Sequence, residues 1–358
     1  MPLIPIQQAR QLFTQSFIGS WKETFPVTNF LRSFFKTKTV PSKYISLEVT
    51  RGTKKIAADI LRGTESNRNK FGQSTAKAFL PPYYAESFTN EDLALYDQLF
   101  ARSGEVADSE LVKAAAEEVR DNYLELRNKI ERAYEAQAAQ VLQTGKVTTL
   151  TLDVIDYKPK NTLIMTLTTK WDAATPEILK SLKVTCDNLR KNGASASEFD
   201  VIMGSSAFDY FIESKEYKDN FGLMHLSVAD YNLPRMNETS GAVFHNRISV
   251  GPYKVNIWTY SESYTNSSGV DTPYIDPKKV IIIAKSAQLF LSFAAVPRVL
   301  TDNGAMQNPQ FASVIDQGAY VLNNFVKPEV SSHIFEIKSA GLALPMTVDH
   351  TACIQVLA

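Results

Sequence analysis

Cysteine is scarce: two in 358 residues, Cys186 and Cys353, far apart and with no CxxC. That excludes a disulfide framework and a zinc ribbon, and it points to a reducing compartment. The four histidines, His225, His245, His333 and His350, show neither HExxH nor any other paired spacing, so no metal site is indicated. Neither a P-loop nor a dinucleotide-binding glycine pattern is present. No long apolar run exists. The most apolar window, Val280 to Val296, is interrupted by Lys285, Ser286, Gln288 and Ser292, so no membrane span is expected. The opening MPLIPIQQARQLFTQSF is no signal peptide, because Pro2, Pro5, Gln7, Gln8 and Arg10 break its apolar core. Gly204 to Phe208, GSSAF, sits where a strand meets a helix, like a nucleophile elbow. Phe208 stands where the last glycine of GxSxG is needed, and Ser205 or Ser206 reads better as a helix cap. No catalytic constellation and no cofactor site emerge, so the chain is not read as an enzyme.

Net charge is absent as well, with 38 basic and 38 acidic residues. The length suits one large or two medium domains with ordinary cores. The zero hides a strong asymmetry. From Phe30 to Leu80 eleven bases face three acids, an excess of eight positive charges. From Pro81 to Glu135 thirteen acids face six bases, an excess of seven negative charges. Two readings stand. The segments neutralise each other within one subunit, or the basic one reaches onto the acidic one of a neighbouring copy, where complementary charge sets register and encounter. Contact with nucleic acid is a further use of a basic ribbon, but its aromatics do not interleave as a stacking platform would.

The strongest local signal is the stretch Asp108 to Gln143. Val112, Ala115, Val119, Tyr123, Leu126, Ile130, Ala133, Gln137 and Val141 recur near a 3.6-residue period. Lys113, Glu117, Asp121, Glu125, Lys129 and Glu131 occupy the other faces. Asp108 or Ser109 caps the start and Gly145 ends it. Such a helix is roughly 50 Å long at 1.5 Å per residue. Its narrow, Ala-rich stripe suits a helix laid across a sheet, its far side left for solvent or a partner.

Residues 1–35 read as an arm with scattered aromatics; the alternative is a short helix packed on its own domain. Residues 36–80 read as a long β-hairpin or loop, with alternating Tyr44 to Thr50 as one strand and KKIAADILRG as a second candidate. FTNEDLALYDQLF starts a helix, Thr89 and Asp92 standing at capping-box spacing. KVTTLTLDVIDYK and NTLIMTLTTKW are strands that can pair around Lys158 to Asn161. Pro176 opens a helix that Gly193 stops. FDVIMG is a buried strand, followed by a helix over SSAFDYFIESKEYKDNF. GAVFHNRISVGPYKVNIWTYSESY is a meander turning at Gly251-Pro252, and KKVIIIA is a buried strand. Further strands fall at Ser332 to Ser339 and near Thr351 to Leu357.

Taken together, several stretches resemble the major capsid proteins of tailed bacteriophages, most closely the branch of the lambda head protein. They are NFLRSFFKTKTVPSKYISLEVTRGTKKIAADILRG, FLPPYYAESFTNEDL, ERAYEAQAAQVLQTGKVTTLTLDVIDY, TTKWDAATPEILKSLK, FDVIMGSSAFDYF and SAGLALPMTVDH. Each is weak alone, but they are collinear over nearly the whole chain. The resemblance implies an α+β, HK97-like capsid fold. Residues 1–35 would form an N-terminal arm and 36–80 an extended E-loop. Residues 81–174 would form a P-domain with a spine helix at 108–143, and 175–300 an A-domain. Residues 301–358 would return to the P-domain sheet. It further implies pentamers and hexamers of this chain closing into an icosahedral shell in the host cytoplasm. That shell would become the virion capsid, holding double-stranded DNA by non-specific proximity, with portal, scaffold and decoration proteins as partners. A cellular encapsulin-like nanocompartment is the alternative within that fold, and an α/β enzyme with an unrecognised site is a distant third. Between copies, Arg51, Lys54, Lys55, Arg62, Arg68 and Lys70 are expected to meet Glu117, Glu118, Asp121 and Glu125.

Overall fold

The computed structural model describes residues 27–49, 75–91, 108–148, 154–221, 241–266, 268–296, 319–327 and 332–358. In chain order the elements begin with α1 (Phe30–Ser33), β1 (Phe35–Thr39), β2 (Ile45–Val49), β3 (Thr75–Phe79), β4 (Tyr84–Glu91) and α2 (Asp108–Thr144). Next come β5 (Lys146–Thr148), β6 (Val154–Asp156), β7 (Ile164–Thr166), α3 (Ile178–Lys191), β8 (Glu198–Met203), α4 (Ser205–Glu213) and α5 (Lys215–Phe221). Then follow β9 (Ala242–Val250), β10 (Tyr253–Tyr260), β11 (Ser263–Thr265), β12 (Asp271–Pro273), β13 (Lys279–Ala284) and β14 (Leu289–Phe293). The chain closes with β15 (Val321–Lys327), β16 (Ser332–Ser339), β17 (Gly341–Pro345) and β18 (Thr351–Gln355).

The apolar runs of β8 and β13 explain the centre of the fold. A strand that is apolar at successive positions needs cover on both faces. Both strands lie inside a six-stranded sheet ordered β7-β18-β13-β8-β10-β9, parallel at β7/β18 and β8/β10 and antiparallel elsewhere. Phe199, Val201, Met203, Ile257 and Ile282 join one core with Ile178, Leu182, Cys186 and Leu189 of α3, whose spacing makes one helical face. Ile202, Trp258, Tyr260, Ile281 and Ile283 join a second core with Leu126, Ile130, Tyr134 and Leu142 of α2. Gly204 lets the chain turn from β8 into α4. A Cβ there would lie 2.5 Å from the carbonyl oxygen of Asp276, so glycine is required by a close backbone approach.

The long helix extends one residue past its expected end, and Gly145, at φ +66°, stops it as predicted. Its burial departs from the narrow stripe. From Glu131 to Leu142 the buried positions are Glu131, Tyr134, Glu135, Gln137, Ala138, Ala139, Val141 and Leu142. They spread round most of the helix because α2 packs on α1, β17 and β18 at once. Glu131, expected on an outer face, is therefore buried.

Several strands differ from the sequence reading. Tyr84–Glu91 is a strand paired with β16, so no helix starts at Thr89; the rest of the expected helix, residues 92–100, lies outside the described residues. Phe88 stacks on Phe335 of β16 with ring centroids 5.0 Å apart, a cross-strand contact that outweighs the local capping signal. Lys146–Thr148 and Val154–Asp156 pair with each other. Ile164–Thr166 instead pairs in parallel with β18, so the hairpin expected around Lys158 to Asn161 does not form. The residue at the N-cap of α4 is Gly204, and Ser205 and Ser206 are helical rather than capping. The helix expected over 205–221 is broken at Ser214 into α4 and α5. The final strand β18 lies between β7 and β13 in the six-stranded sheet. The expected strand at Tyr44 to Thr50 is β2, but its partner is β3; the KKIAADILRG candidate lies outside the described residues. The strands β1, β14, β15 and β17 were not foreseen. For three of them the partners lie far away in sequence, β1 pairing in parallel with β14 and β17 antiparallel to it, whereas β15 pairs with the next strand, β16.

Candidate assembly surface

Three features of the chain face outward or fix what faces outward: the root of the N-terminal segment, the outer face of α2 and the base of the β2/β3 ribbon. At the root, Phe30 and Leu31 are fully buried. Phe30 stands against Trp258 and Tyr260 with ring centroids 5.4 and 5.5 Å away. The polar part of the contact comes from α2. Glu135 accepts the Leu31 N–H at Oε1, 2.7 Å, and the Arg32 N–H at Oε2, 3.0 Å. Tyr260 donates its hydroxyl to Glu135 Oε1 at 3.0 Å and lies 2.8 Å from Thr28 Oγ1. One turn earlier on the same helix, Glu131 pairs with Arg32. It also accepts from the Tyr320 hydroxyl at 2.6 Å and from Arg127 Nε at 3.3 Å. Burial pushes the Glu135 carboxyl above its ordinary range, and the two backbone N–H groups, Tyr260 and Arg32 pull it part of the way back.

The same helix also closes an open sheet edge. The edge strand β17 turns the N–H groups of Gly341 and Ala343 toward α2. Tyr134 accepts from Gly341 at 2.9 Å and Gln137 Oε1 accepts from Ala343 at 2.7 Å. Tyr134 and Gln137 are three residues apart, hence on one face of the helix. A Cβ on Gly341 would lie 2.6 Å from the Tyr134 ring, so a glycine is needed there.

Of the residues expected between copies, Arg51, Lys54, Lys55, Arg62, Arg68 and Lys70 lie outside the described residues. Glu117 and Glu118 are in α2 with their side chains outside the described set. Asp121 and Glu125 are exposed on the outer face of α2, beside the exposed Leu124. Asp121 already has Arg120 at 3.3 Å. The buried acids Glu131 and Glu135 were not singled out by sequence reasoning. Nothing in a periodicity count separates a glutamate that faces solvent from one that receives backbone donors. Through Arg32 and Glu131, one contact between the basic and acidic segments is made inside the subunit. At the ribbon base, Tyr44, Leu80 and Tyr83 are 51, 53 and 52% exposed, a concentration of apolar surface beside a two-stranded sheet that pairs with no other described strand.

The residues weighed for chemistry have structural surroundings. His245 lies 2.7 Å from Thr259 Oγ1, and burial lowers its pKa. His350 contacts Ser286. Among the described residues no group of His, Cys, Asp and Glu could hold a metal ion. No described helix is long and apolar enough to cross a membrane. Both cysteines are free and buried, and burial pushes each thiol up to about 12. The thiolate is the reactive form. Native protein is thus expected to resist a disulfide-exchange reagent at pH 8, with both thiols reacting in denaturant. Rapid native labelling would contradict the buried placement.

Comparison with known proteins bears on the whole chain. The profile of the family described as phage major capsid protein E matches residues 14–317. No curated protein sequence matches. A structure assigned as a prophage capsid protein of E. coli CFT073 is 15% identical, with a TM-score of 0.57 and 100% of each chain covered. The capsid of Cyanophage P-SCSP1u is 9% identical, with a TM-score of 0.51, covering 97% of this chain and 93% of that one. A phage-related protein of Bordetella bronchiseptica RB50 is 9% identical, with a TM-score of 0.50, covering 97% and 96%. At such identities the likeness is one of fold, the HK97-like capsid fold. The family match over most of the chain adds the role, and with it the chain belongs to the phage major capsid protein E family, as a structural protein of a bacteriophage head.

Proposed function

We propose that copies of this chain form pentamers and hexamers that close into an icosahedral shell around double-stranded DNA. In this reading residues 1–35 are the arm, 36–80 the E-loop, 81–174 a P-domain built on the spine helix, 175–300 an A-domain, and 301–358 the return of the chain. The basic E-loop of one copy lies on the outer face of a neighbour's α2, near Asp121 and Glu125. Assembly takes place in the host cytoplasm, with portal, scaffold and decoration proteins as partners. The DNA is held by proximity, not by base readout. The role is structural and involves no catalysed reaction.

The observation that carries this is the ribbon itself. The strands β2 and β3 pair only with each other among the described residues, and Tyr44, Leu80 and Tyr83 at their base are about half exposed, while Ile45 and Phe79 anchor that base to the body. Two strands alone are marginal in water. Such a ribbon is stabilised by a surface to lie on, and a neighbouring copy offers one with every subunit added. A single pair need not bind tightly, because closed symmetry repeats each weak contact. Negative-stain microscopy of the expressed protein tests the reading. Uniform polyhedra or tubes are expected, and particles from phage-producing cells should protect double-stranded DNA from nuclease. Monodisperse small oligomers would contradict the shell, and closed particles without protected nucleic acid would favour a cellular compartment.

A further inference from the structure

The contact between α1 and α2 is built in a way that core packing alone does not require. Two carboxylates, one turn apart on α2, are buried at the point where the N-terminal segment joins the body. Burying charge is a poor route to stability, because desolvation offsets the attraction. Glu135 directs each of its oxygens at a backbone N–H group of α1, and Oε1 also receives the Tyr260 hydroxyl. Those N–H groups belong to the first turn of a four-residue helix whose N-cap residue, Asn29, makes no side-chain cap. A first-turn N–H has no partner inside its own helix. Glu135 supplies that partner from another element. Bonds to the backbone specify the path of the chain whatever its side chains are. Apolar burial of Phe30 and Leu31 holds the segment down but is non-directional.

We propose that Glu135, backed by Glu131, is a latch that fixes the path of the chain over Thr28–Phe34 against α2, and that shell assembly depends on this fixed path. The groups facing the latch are Arg32 from α1, Arg127 from α2, Tyr260 from β10, Thr28 ahead of α1 and Tyr320 ahead of β15. Only the second half of the proposal rests on the shell reading.

Hydrogen exchange on the full-length chain tests it with Glu135→Gln. Glutamine keeps the shape and one acceptor but sets an amide N–H against the Arg32 N–H. Val141→Ala, which trims the same helix away from α1, is the control for general loosening. Exchange over Thr28–Phe34 should rise at least about tenfold in Glu135→Gln, as local opening without global unfolding allows. It should stay near wild type in Val141→Ala, and Glu135→Gln particles should be malformed. An unchanged rate in Glu135→Gln, or an equal rise in Val141→Ala, overturns the latch. Faster exchange with normal shells overturns its role in assembly. If the wild-type chain forms no shells at all, the shell reading fails while the exchange comparison still decides the latch.

Discussion

Replacing Arg51, Lys54 and Lys55 together by glutamate is expected to abolish shell assembly while leaving the subunit folded. The three reversals lower the positive excess of residues 30–80 from eight to two. In the proposed docking they place acid against the acidic side of the neighbouring helix. Like charges brought together at an interface cost several kcal/mol, whereas complementary ones act mainly on encounter and register. In a closed shell the loss is repeated at every copy, so a modest penalty per contact suffices to block closure. The fold should survive, because charged Arg and Lys side chains of a polar ribbon are seldom the ones that build an apolar core. Circular dichroism and sedimentation would separate the two effects. High salt should weaken wild-type assembly in the same direction, since exposed charges are screened beyond about 8 Å at physiological ionic strength. Normal shells from the triple variant would remove the electrostatic docking from the account.

The largest effect on the subunit itself is expected at Tyr134. Its ring is fully buried and stands edge-on to Tyr84 and Phe293 at 5.3 and 5.4 Å. Its hydroxyl is used twice. It accepts the Gly341 N–H and donates to Ser339 Oγ at 2.5 Å, and that serine donates onward to the Ala319 carbonyl at 2.6 Å. Tyr134→Ala opens a cavity between helix and sheet, and aromatic-to-alanine changes of this kind cost about 3–5 kcal/mol. It also leaves the Gly341 N–H without its acceptor. Against a total stability of about 5–15 kcal/mol, that is enough to unfold a large share of subunits. Tyr134→Phe keeps the ring and loses only the network, a cost of about 1–3 kcal/mol for the orphaned donor. Urea unfolding of the two variants should therefore rank them alanine well below phenylalanine and phenylalanine below wild type. Equal stabilities of wild type and Tyr134→Phe would show that the hydroxyl network contributes nothing net.

What could be read from the sequence follows from how local each determinant is. The long helix is legible because its period, start and glycine stop all lie within one stretch. The strands at Glu198–Met203 and Lys279–Ala284 are legible because successive apolar residues leave few alternatives. The edge strand Gly341–Pro345 is short and its pairing partner lies some fifty residues earlier, so no local pattern marks it. Thr89 and Asp92 mimic a helix start, but eight residue pairs with β16 hold Tyr84–Glu91 extended. The latch is the least legible part. Glu131 and Glu135 look like any solvated glutamates on a charged helix, and only the return of Leu31 and Arg32 to their side, about a hundred residues away in sequence, gives them a role. The α1 contact also shows that the reading of a short helix packed on its own domain holds for Phe30–Ser33.

In the proposed shell the spine helix lies at a boundary between copies, its inner side holding one subunit together and its outer side receiving the next. A cryo-electron microscopy map of the assembled particle tests this most directly. Arg51, Lys54 and Lys55 of one copy are expected within ion-pair distance of Asp121 or Glu125 on the adjacent copy's helix. A map in which the basic loop folds back onto its own helix, or in which Asp121 and Glu125 face open solvent in every copy, would contradict it.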